Sequence, residues 1–228
     1  MGVDPQILDE IPLFSGLGTQ EKQRIASVVK HIRVSKRQLV IEKGSESLGL
    51  WVLLDGRLQG TDYTIDGREV GLYFIVPRQF FGELALIDKQ PSPEHIVATA
   101  QAELILIPNA VCLDLVKYHP DIATQIAKTL ASRVRGLIRQ RTLLTLTTPM
   151  QRLAAQLLDL AENSDGKVRI EFAPTHQELA MMINSSRETV TRAFRSMQAQ
   201  GIVKRDGNVL IISKHKNLRE LAEGRHDT

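Results

Sequence analysis

The residues best equipped for chemistry lie near the C-terminal end, in Ser186-Arg187-Glu188-Thr189-Val190-Thr191-Arg192. Ser186 followed by Thr189 starts a helix that runs to about Gln200, and Gly201 ends it. At about 100° per residue, with Arg187 at 0°, Thr191 lies near 40°, Glu188 near 100° and Arg192 near 140°. Val190, Ala193, Phe194 and Met197 fall between about 240° and 340°. One face is thus apolar, and the other carries guanidinium, carboxylate and hydroxyl groups. In a DNA major groove, guanine offers O6 and N7 to arginine, and cytosine offers its N4 hydrogens to glutamate. The polar face has the groups needed to read G·C pairs.

Such a face needs a rigid mount, and the flanking sequence supplies one. Thr175 and Glu178 have capping-box spacing and open a helix through Met182. Ile183-Asn184-Ser185 makes a short turn between the two helices. Ile202–Arg205 and Val209–Ile212 form two strands around Asp206-Gly207. Helix, turn, helix and hairpin together make a winged helix-turn-helix. Thr175, His176 and Gln177, at the start of the first helix, join Ser186, Arg187, Glu188, Thr191 and Arg192 as candidate DNA contacts. Upstream, Met150–Glu162 is amphipathic, residues 163–167 form a turn and Val168–Phe172 a short strand. The tail from Lys214 is polar, a surface helix or partly disordered.

Asp121–Leu146 contains one glycine, Gly136, and no proline. Ala123, Leu130, Leu137 and Leu144 recur every seven residues, with Ile126 and Val134 beside that line. A heptad seam packs against a partner helix, and a helix of this length, about 39 Å, is long for a small domain. A homodimer is therefore expected, with Ile126, Leu130, Leu137 and Leu144 in the seam. Thr147-Thr148-Pro149 ends the helix. The expected organisation is a sensor domain over 1–120, a dimerisation helix over 121–147 and a DNA-binding domain over 148–228.

The front of the chain has another texture. Residues 6–30 read as helical. From about 31 to 108, short apolar stretches such as Leu50–Leu54, Val70–Val76 and Leu104–Ile107 are cut by Lys43-Gly44, Asp55-Gly56 and Asp66-Gly67. Closely spaced strands with glycine turns predict a sandwich or small barrel, and an α+β protein as a whole.

Composition sets outer limits. The net charge of +3 over 228 residues divides unevenly: 12 Lys+Arg against 15 Asp+Glu in residues 1–120, and 17 against 11 in 121–228. The basic half is the place to look for a phosphate-rich partner. The single cysteine, Cys112, forms no internal disulfide, Cys-rich zinc site or four-cysteine iron–sulfur cluster. No apolar run approaches the ~18 residues of a membrane helix, and the acidic N-terminus does not read as a signal peptide. No membrane partner and a cytoplasmic location are expected.

Over nearly its whole length the chain resembles the CRP/FNR family of regulators. The 186–192 segment is similar to the recognition helix of that family's cyclic AMP receptor branch. Phe81-Gly82-Glu83-Leu84-Ala85-Leu86 is similar to the start of its phosphate-binding cassette, and Gly44 and Gly56 flank Leu50–Leu54 with the family's spacing. The resemblance implies a cyclic-nucleotide-binding-like jelly roll, a long dimer helix, RNA polymerase as a partner and two-fold symmetric operators. Arg187, Glu188 and Arg192 match base-reading positions, which implies TGTGA-like half-sites.

The effector positions depart from the family pattern. Where the cyclic AMP branch has an Arg-Ser pair for the phosphate, this chain reads Gln90-Pro91-Ser92-Pro93-Glu94-His95-Ile96. Positions that contact adenine in the family fall on Leu137 and Ile138. The candidate effector pocket is Gly82, Glu83, Leu84, His95, Leu137, Ile138 and Arg141, and cyclic AMP is not the expected ligand. His95, His31 or His119 could ligate haem iron. Arg133, Arg135, Arg139 and Arg141 could meet a cyclic dinucleotide. A ligand-free regulator, and redox sensing at Cys112, also stand open. The expected function is a homodimeric, sequence-specific transcription regulator. The alternative is a nucleotide-binding module whose output is a protein partner. No catalytic residues and no metal site are assigned: Glu83 and His95 lack any accompanying nucleophile motif or phosphate loop.

Overall fold

A computed structural model describes residues 3–162 and 168–225. The chain divides into two compact units, one formed by residues up to 66 and 72–134, the other by the remainder. The expected turn over 163–167 and the last three residues lie outside the described residues.

The helix expected over 6–30 is three pieces: α1 (Gln6–Asp9), a 3₁₀ turn (Pro12–Phe14) and α2 (Thr19–Val28). Pro12 has no N–H to continue α1 and starts the tighter turn, while Gly18 is extended and begins α2. There follow β1 (Lys30–Val34), β2 (Leu39–Ile41), β3 (Gly49–Asp55), β4 (Leu58–Tyr63), β5 (Glu69–Ile75), β6 (Phe80–Phe81), α3 (Glu83–Asp88), β7 (His95–Ala98) and β8 (Ala102–Pro108). The strands form two four-stranded sheets, ordered β1-β8-β3-β6 and β2-β7-β4-β5. This is the jelly roll that the sequence resemblance implied.

Two cores form because β3 and β8 are apolar on both faces. Trp51, Leu53, Leu104 and Leu106 point into the cluster between the sheets, with Leu58, Phe81 and Ile96. The alternate residues Leu50, Val52, Ile105 and Ile107 face a second cluster with Leu8, Phe14, Ile25 and Leu115. That layer is completed by α4 (Asn109–Tyr118) and the start of α5 (Pro120–Leu144). Gly56 closes the β3–β4 turn at φ +90°, where a Cβ would stand 2.2 Å from the Gln101 carbonyl oxygen. No side chain fits there.

The second unit continues with α6 (Pro149–Glu162), β9 (Arg169–Ile170), α7 (His176–Met182), α8 (Arg187–Ala199), β10 (Val203–Asp206), β11 (Val209–Ile212) and α9 (His215–Glu223). Its three strands are ordered β10-β11-β9. Leu153, Leu157, Leu179, Phe194 and Leu210 are buried. The polar tail contributes to this unit, because α9 packs on α6 and buries Leu218 and Leu221.

Cys112 sits in the helical core layer, its Sγ 3.3 Å from the Ile107 carbonyl oxygen. Burial pushes its thiol up to about 11, so at pH 8 about one molecule in a thousand carries the reactive thiolate. Native protein at pH 8 is expected to resist iodoacetamide, with labelling restored in urea. Rapid stoichiometric alkylation of the folded chain, followed by intact-mass spectrometry, would contradict this.

Candidate functional site

In the second unit the local signals position the polar helix. The Thr175 hydroxyl accepts from the Glu178 N–H at 3.3 Å, and the Glu178 carboxylate accepts from the Thr175 N–H at 2.7 Å. Ser186 caps α8 by accepting from the Thr189 N–H at 3.1 Å. Val190, Ala193, Phe194 and Met197 are buried, as the angular projection requires. The turn between the helices is held from outside: Gln140 Nε2 donates to the Met182 carbonyl at 2.6 Å, and Arg152 Nε to the Ile183 carbonyl at 2.9 Å.

The opposite face of α8 is open. Arg187, Glu188 and Arg192 are exposed, with Thr191 between them half-buried. Arg192 makes one bond, 3.0 Å to the Thr189 hydroxyl, and Arg187 makes no side-chain hydrogen bond among the described residues. Glu188 has its carboxyl held below the usual range by its own backbone N–H and then by Ser186, so it stays ionised. Arg195, not singled out in the sequence, is exposed and falls near 80° on the same projection. Gln177 is exposed beside this helix pair, while His176 is half-buried and stacks on Phe194 at 4.7 Å. The Thr191 hydroxyl donates to the Arg187 carbonyl, so His176 Nδ1, 2.9 Å away, donates to Thr191. Burial, then Arg205, Arg187 and Arg195, hold His176 below its usual pKa, and the ring is neutral near pH 7. Arg205 of the wing is committed to the Ala173 and Pro174 carbonyls.

The first unit contains a cavity of about 370 Å³. Gly82, Glu83 and Leu84 line it, as expected. Gly82 has φ +81°, and a Cβ there would meet Trp51 at 3.2 Å, so the turn into α3 requires glycine. Glu83 is 0% exposed, and its Oε1 accepts from Arg133 Nη1. Arg133 Nη2 also donates to the Phe80 carbonyl at 2.6 Å, and its guanidinium lies 5.3 Å from the Tyr73 ring centre. The Tyr73 hydroxyl donates to Glu94. Burial pushes the Glu94 carboxyl above the usual range, although Tyr73 and Arg133 act against it, and burial raises Tyr73 too. Arg133 is one of four helix arginines that the sequence offers to an effector, with nothing to single it out, and Tyr73 is not offered at all, because their partners are remote in the chain.

Four expected pocket residues fall elsewhere. His95 is not in the lining, while its strand neighbours Glu94 and Ile96 are. Alternation turns the His95 ring outward, where Nδ1 accepts the Lys43 N–H at 3.1 Å and the ring meets Tyr63 edge-on. Leu137, Ile138 and Arg141 are exposed and lie in the part of α5 that belongs to the second unit. Of the other histidines, His31 lies 3.1 Å from Glu103 and His119 3.7 Å from Glu21.

The expected seam residues also divide. Ile126 is 5% exposed and belongs to its own chain's helical core layer, with Leu130 packed against that layer. Leu137 and Leu144 are 52% and 43% exposed, with Val134 and Ile138 beside them.

Comparison with known proteins fits both halves. The cyclic nucleotide-binding domain model matches residues 31–119, and the Crp-like helix-turn-helix domain model matches 151–221. The chain is 27% identical to the cyclic AMP receptor protein of Thermus thermophilus, over 93% of this chain and 97% of that one. It is 25% identical to a CRP-like cAMP-activated global transcriptional regulator of Mycobacterium tuberculosis, over 95% and 99%. The solved structure of FixK2 from Bradyrhizobium japonicum shares the fold, with a TM-score of 0.74, 18% identity and coverage of 85% and 97%.

The Glu83–Arg133 pair yields a stability prediction. Arg133→Met leaves a buried carboxylate without its cation, and is expected to destabilise the first unit by about 3–5 kcal/mol. Urea unfolding followed by the fluorescence of Trp51, the sole tryptophan, reads this unit. A loss below about 1 kcal/mol, the scale of an exposed pair, would show that Glu83 does not depend on Arg133.

Proposed function

The chain belongs to the CRP/FNR family of transcription regulators, and on that premise we propose that it reads specific operators as a homodimer under an effector other than cyclic AMP. The observation that carries the DNA-reading part is the outward face of α8. Arg187, Glu188, Thr191 and Arg192 span the arc from 0° to about 140° of α8, outside the buried arc of Val190, Ala193, Phe194 and Met197, within its first two turns. A recognition helix contacts base edges with its N-terminal residues. Two arginines and one ionised glutamate fit a G- and C-containing half-site of the TGTGA type. Thr175, His176, Gln177 and Ser186 stand at the two helix starts, suited to phosphate contacts. Arg195 extends the same face.

The exposed Val134, Leu137, Ile138 and Leu144 support dimerisation through the second half of α5. An apolar stripe of this kind on a helix is covered by an equivalent helix in a parallel pair. Two recognition helices would then meet half-sites about 34 Å apart on a two-fold symmetric operator. Cytoplasmic action with RNA polymerase as a further partner belongs to the same proposal. Among the described residues, no helix is long and apolar enough to cross a membrane.

The effector part of the proposal rests on the pocket chemistry. The only guanidinium in its lining, that of Arg133, is already paired, and residues 84–100 supply Lys89 alone as a cation. The Mycobacterium and Thermus relatives are named for cyclic AMP; among the described residues, the lining of this cavity holds no Lys or Arg besides the paired Arg133.

Arg187→Ala and Arg192→Ala are each expected to cost about 1–3 kcal/mol on the preferred site and to relax base choice at one position. Selected-site sequencing checks this; an unchanged motif for both variants would overturn the assignment. Leu137→Glu is expected to weaken both dimer and operator binding by placing unpaired charge in the seam. Sedimentation showing the variant still as a tight dimer would remove Leu137 from the interface.

A further inference from the structure

The cavity of the first unit is lined by more acid than base. Its lining includes four carboxyl side chains, Glu42, Glu46, Glu83 and Glu94, against one cation, Arg133. Glu42 and Glu46 are exposed, whereas Glu83 is fully buried. Arg133 donates from Nη1 to Glu83 Oε1 and from Nη2 to the Phe80 carbonyl. Glu83 Oε2 is buried and has no hydrogen-bond partner among the described residues. A buried carboxylate oxygen left without a donor costs free energy that an incoming donor recovers. Around these groups stand the apolar side chains of Val40, Ile41, Trp51 and Ile96. A cavity of about 370 Å³ is within the range of small-molecule sites.

We propose that this pocket takes a small organic ammonium compound, an apolar body whose N–H donates to the unpartnered oxygen of Glu83. The proposal rests on the reading that the pocket is a sensor site not built for cyclic AMP, and supplies its ligand class. The ammonium charge is favoured by the surplus of carboxyl groups, and the apolar body by Trp51 and Ile96. An anion meets the reverse situation. It meets a single guanidinium already paired with Glu83, and adds negative charge to a lining rich in carboxyl groups. An uncharged alcohol keeps the donor but gains nothing from the carboxyl surplus.

Trp51 is the sole tryptophan and lines the cavity, so its fluorescence reports occupancy in the full-length protein. The probes are phenethylamine, 2-phenylethanol and 3-phenylpropanoate, which present one aryl body with a positive, neutral and negative head. Ethylammonium chloride at equal concentration controls for salt. Phenethylamine is expected to saturate in the millimolar range suited to a ligand of its size. The alcohol should bind about three- to tenfold more weakly, and the carboxylate should not saturate. Glu83→Gln removes the acceptor charge, but disturbs the Arg133 pair. The double variant Glu42→Gln/Glu46→Gln changes two exposed side chains and should reduce the preference for amine over alcohol at least about twofold. Equal or tighter binding of the carboxylate, no saturation by either amine or alcohol, or a preference unmoved in the double variant would each overturn the ligand class. Cyclic AMP in the same titration tests the underlying reading separately. Micromolar saturation with tighter operator binding would overturn that reading. Its absence, with the carboxylate preferred, would overturn the ammonium proposal alone.

Discussion

A carboxylate placed at zero exposure has to find a cation, because its hydration is lost and the interior does not replace it. In the first unit that carboxylate is Glu83, the first residue of α3, and the cation arrives from α5 as Arg133. Much of the unit's arrangement follows. Gly82 must be left-handed to bring Glu83 inside beside Trp51. The guanidinium, once drawn in, also takes the Phe80 carbonyl and lies over Tyr73, whose hydroxyl then bonds Glu94. The first half of α5 is thereby held by charge on one side and by Ile122 and Ile126 in the helical core layer on the other. The same interaction pairs the one guanidinium in the described lining of the cavity, through partners fifty residues apart.

The second unit solves a different problem: presenting polar groups outward on a helix that cannot shift. Its devices are short-ranged. The capping box at Thr175 and the Ser186 cap define where α7 and α8 begin, and Phe194 and Met197 lock the rotation of α8. His176 braces the assembly by stacking on Phe194 and bonding Thr191, and stays neutral in doing so. Gln140 and Arg152 cap the carbonyls of the inter-helix turn. With the frame satisfied internally, Arg187, Glu188, Arg192 and Arg195 remain free to meet a partner.

The outward polar face of α8 was legible in the sequence because everything that builds it is local. A cap needs a hydroxyl three residues before an N–H, and helix rotation follows from 100° per residue, so the 175–200 segment carries its own geometry. The jelly roll was legible more coarsely. Leu58–Tyr63 becomes β4 although its sequence, Leu-Gln-Gly-Thr-Asp-Tyr, shows no apolar run; pairing with β7 supplies what propensity does not. Likewise Lys30–Val34 leaves the helical pattern before it to pair with β8.

The sequence by itself determined the class of machine: an apolar-cored recognition helix behind caps, a long heptad-bearing helix, and glycine-punctuated strands in front. What covers each residue was decided only by the tertiary structure. Ile126 and Leu137 carry the same apolar signal on one helix, yet the barrel buries the first and leaves the second exposed. His95 and Ile96 are adjacent, yet the pleat of β7 sends one out and the other into the cavity wall. Arg133 is one of four arginines on its helix segment, and only packing brings it, rather than Arg135 or Arg141, to Glu83. Periodicity records that a side chain has a face, but the burial that sets its energy depends on elements far away in the chain, which no local spacing encodes.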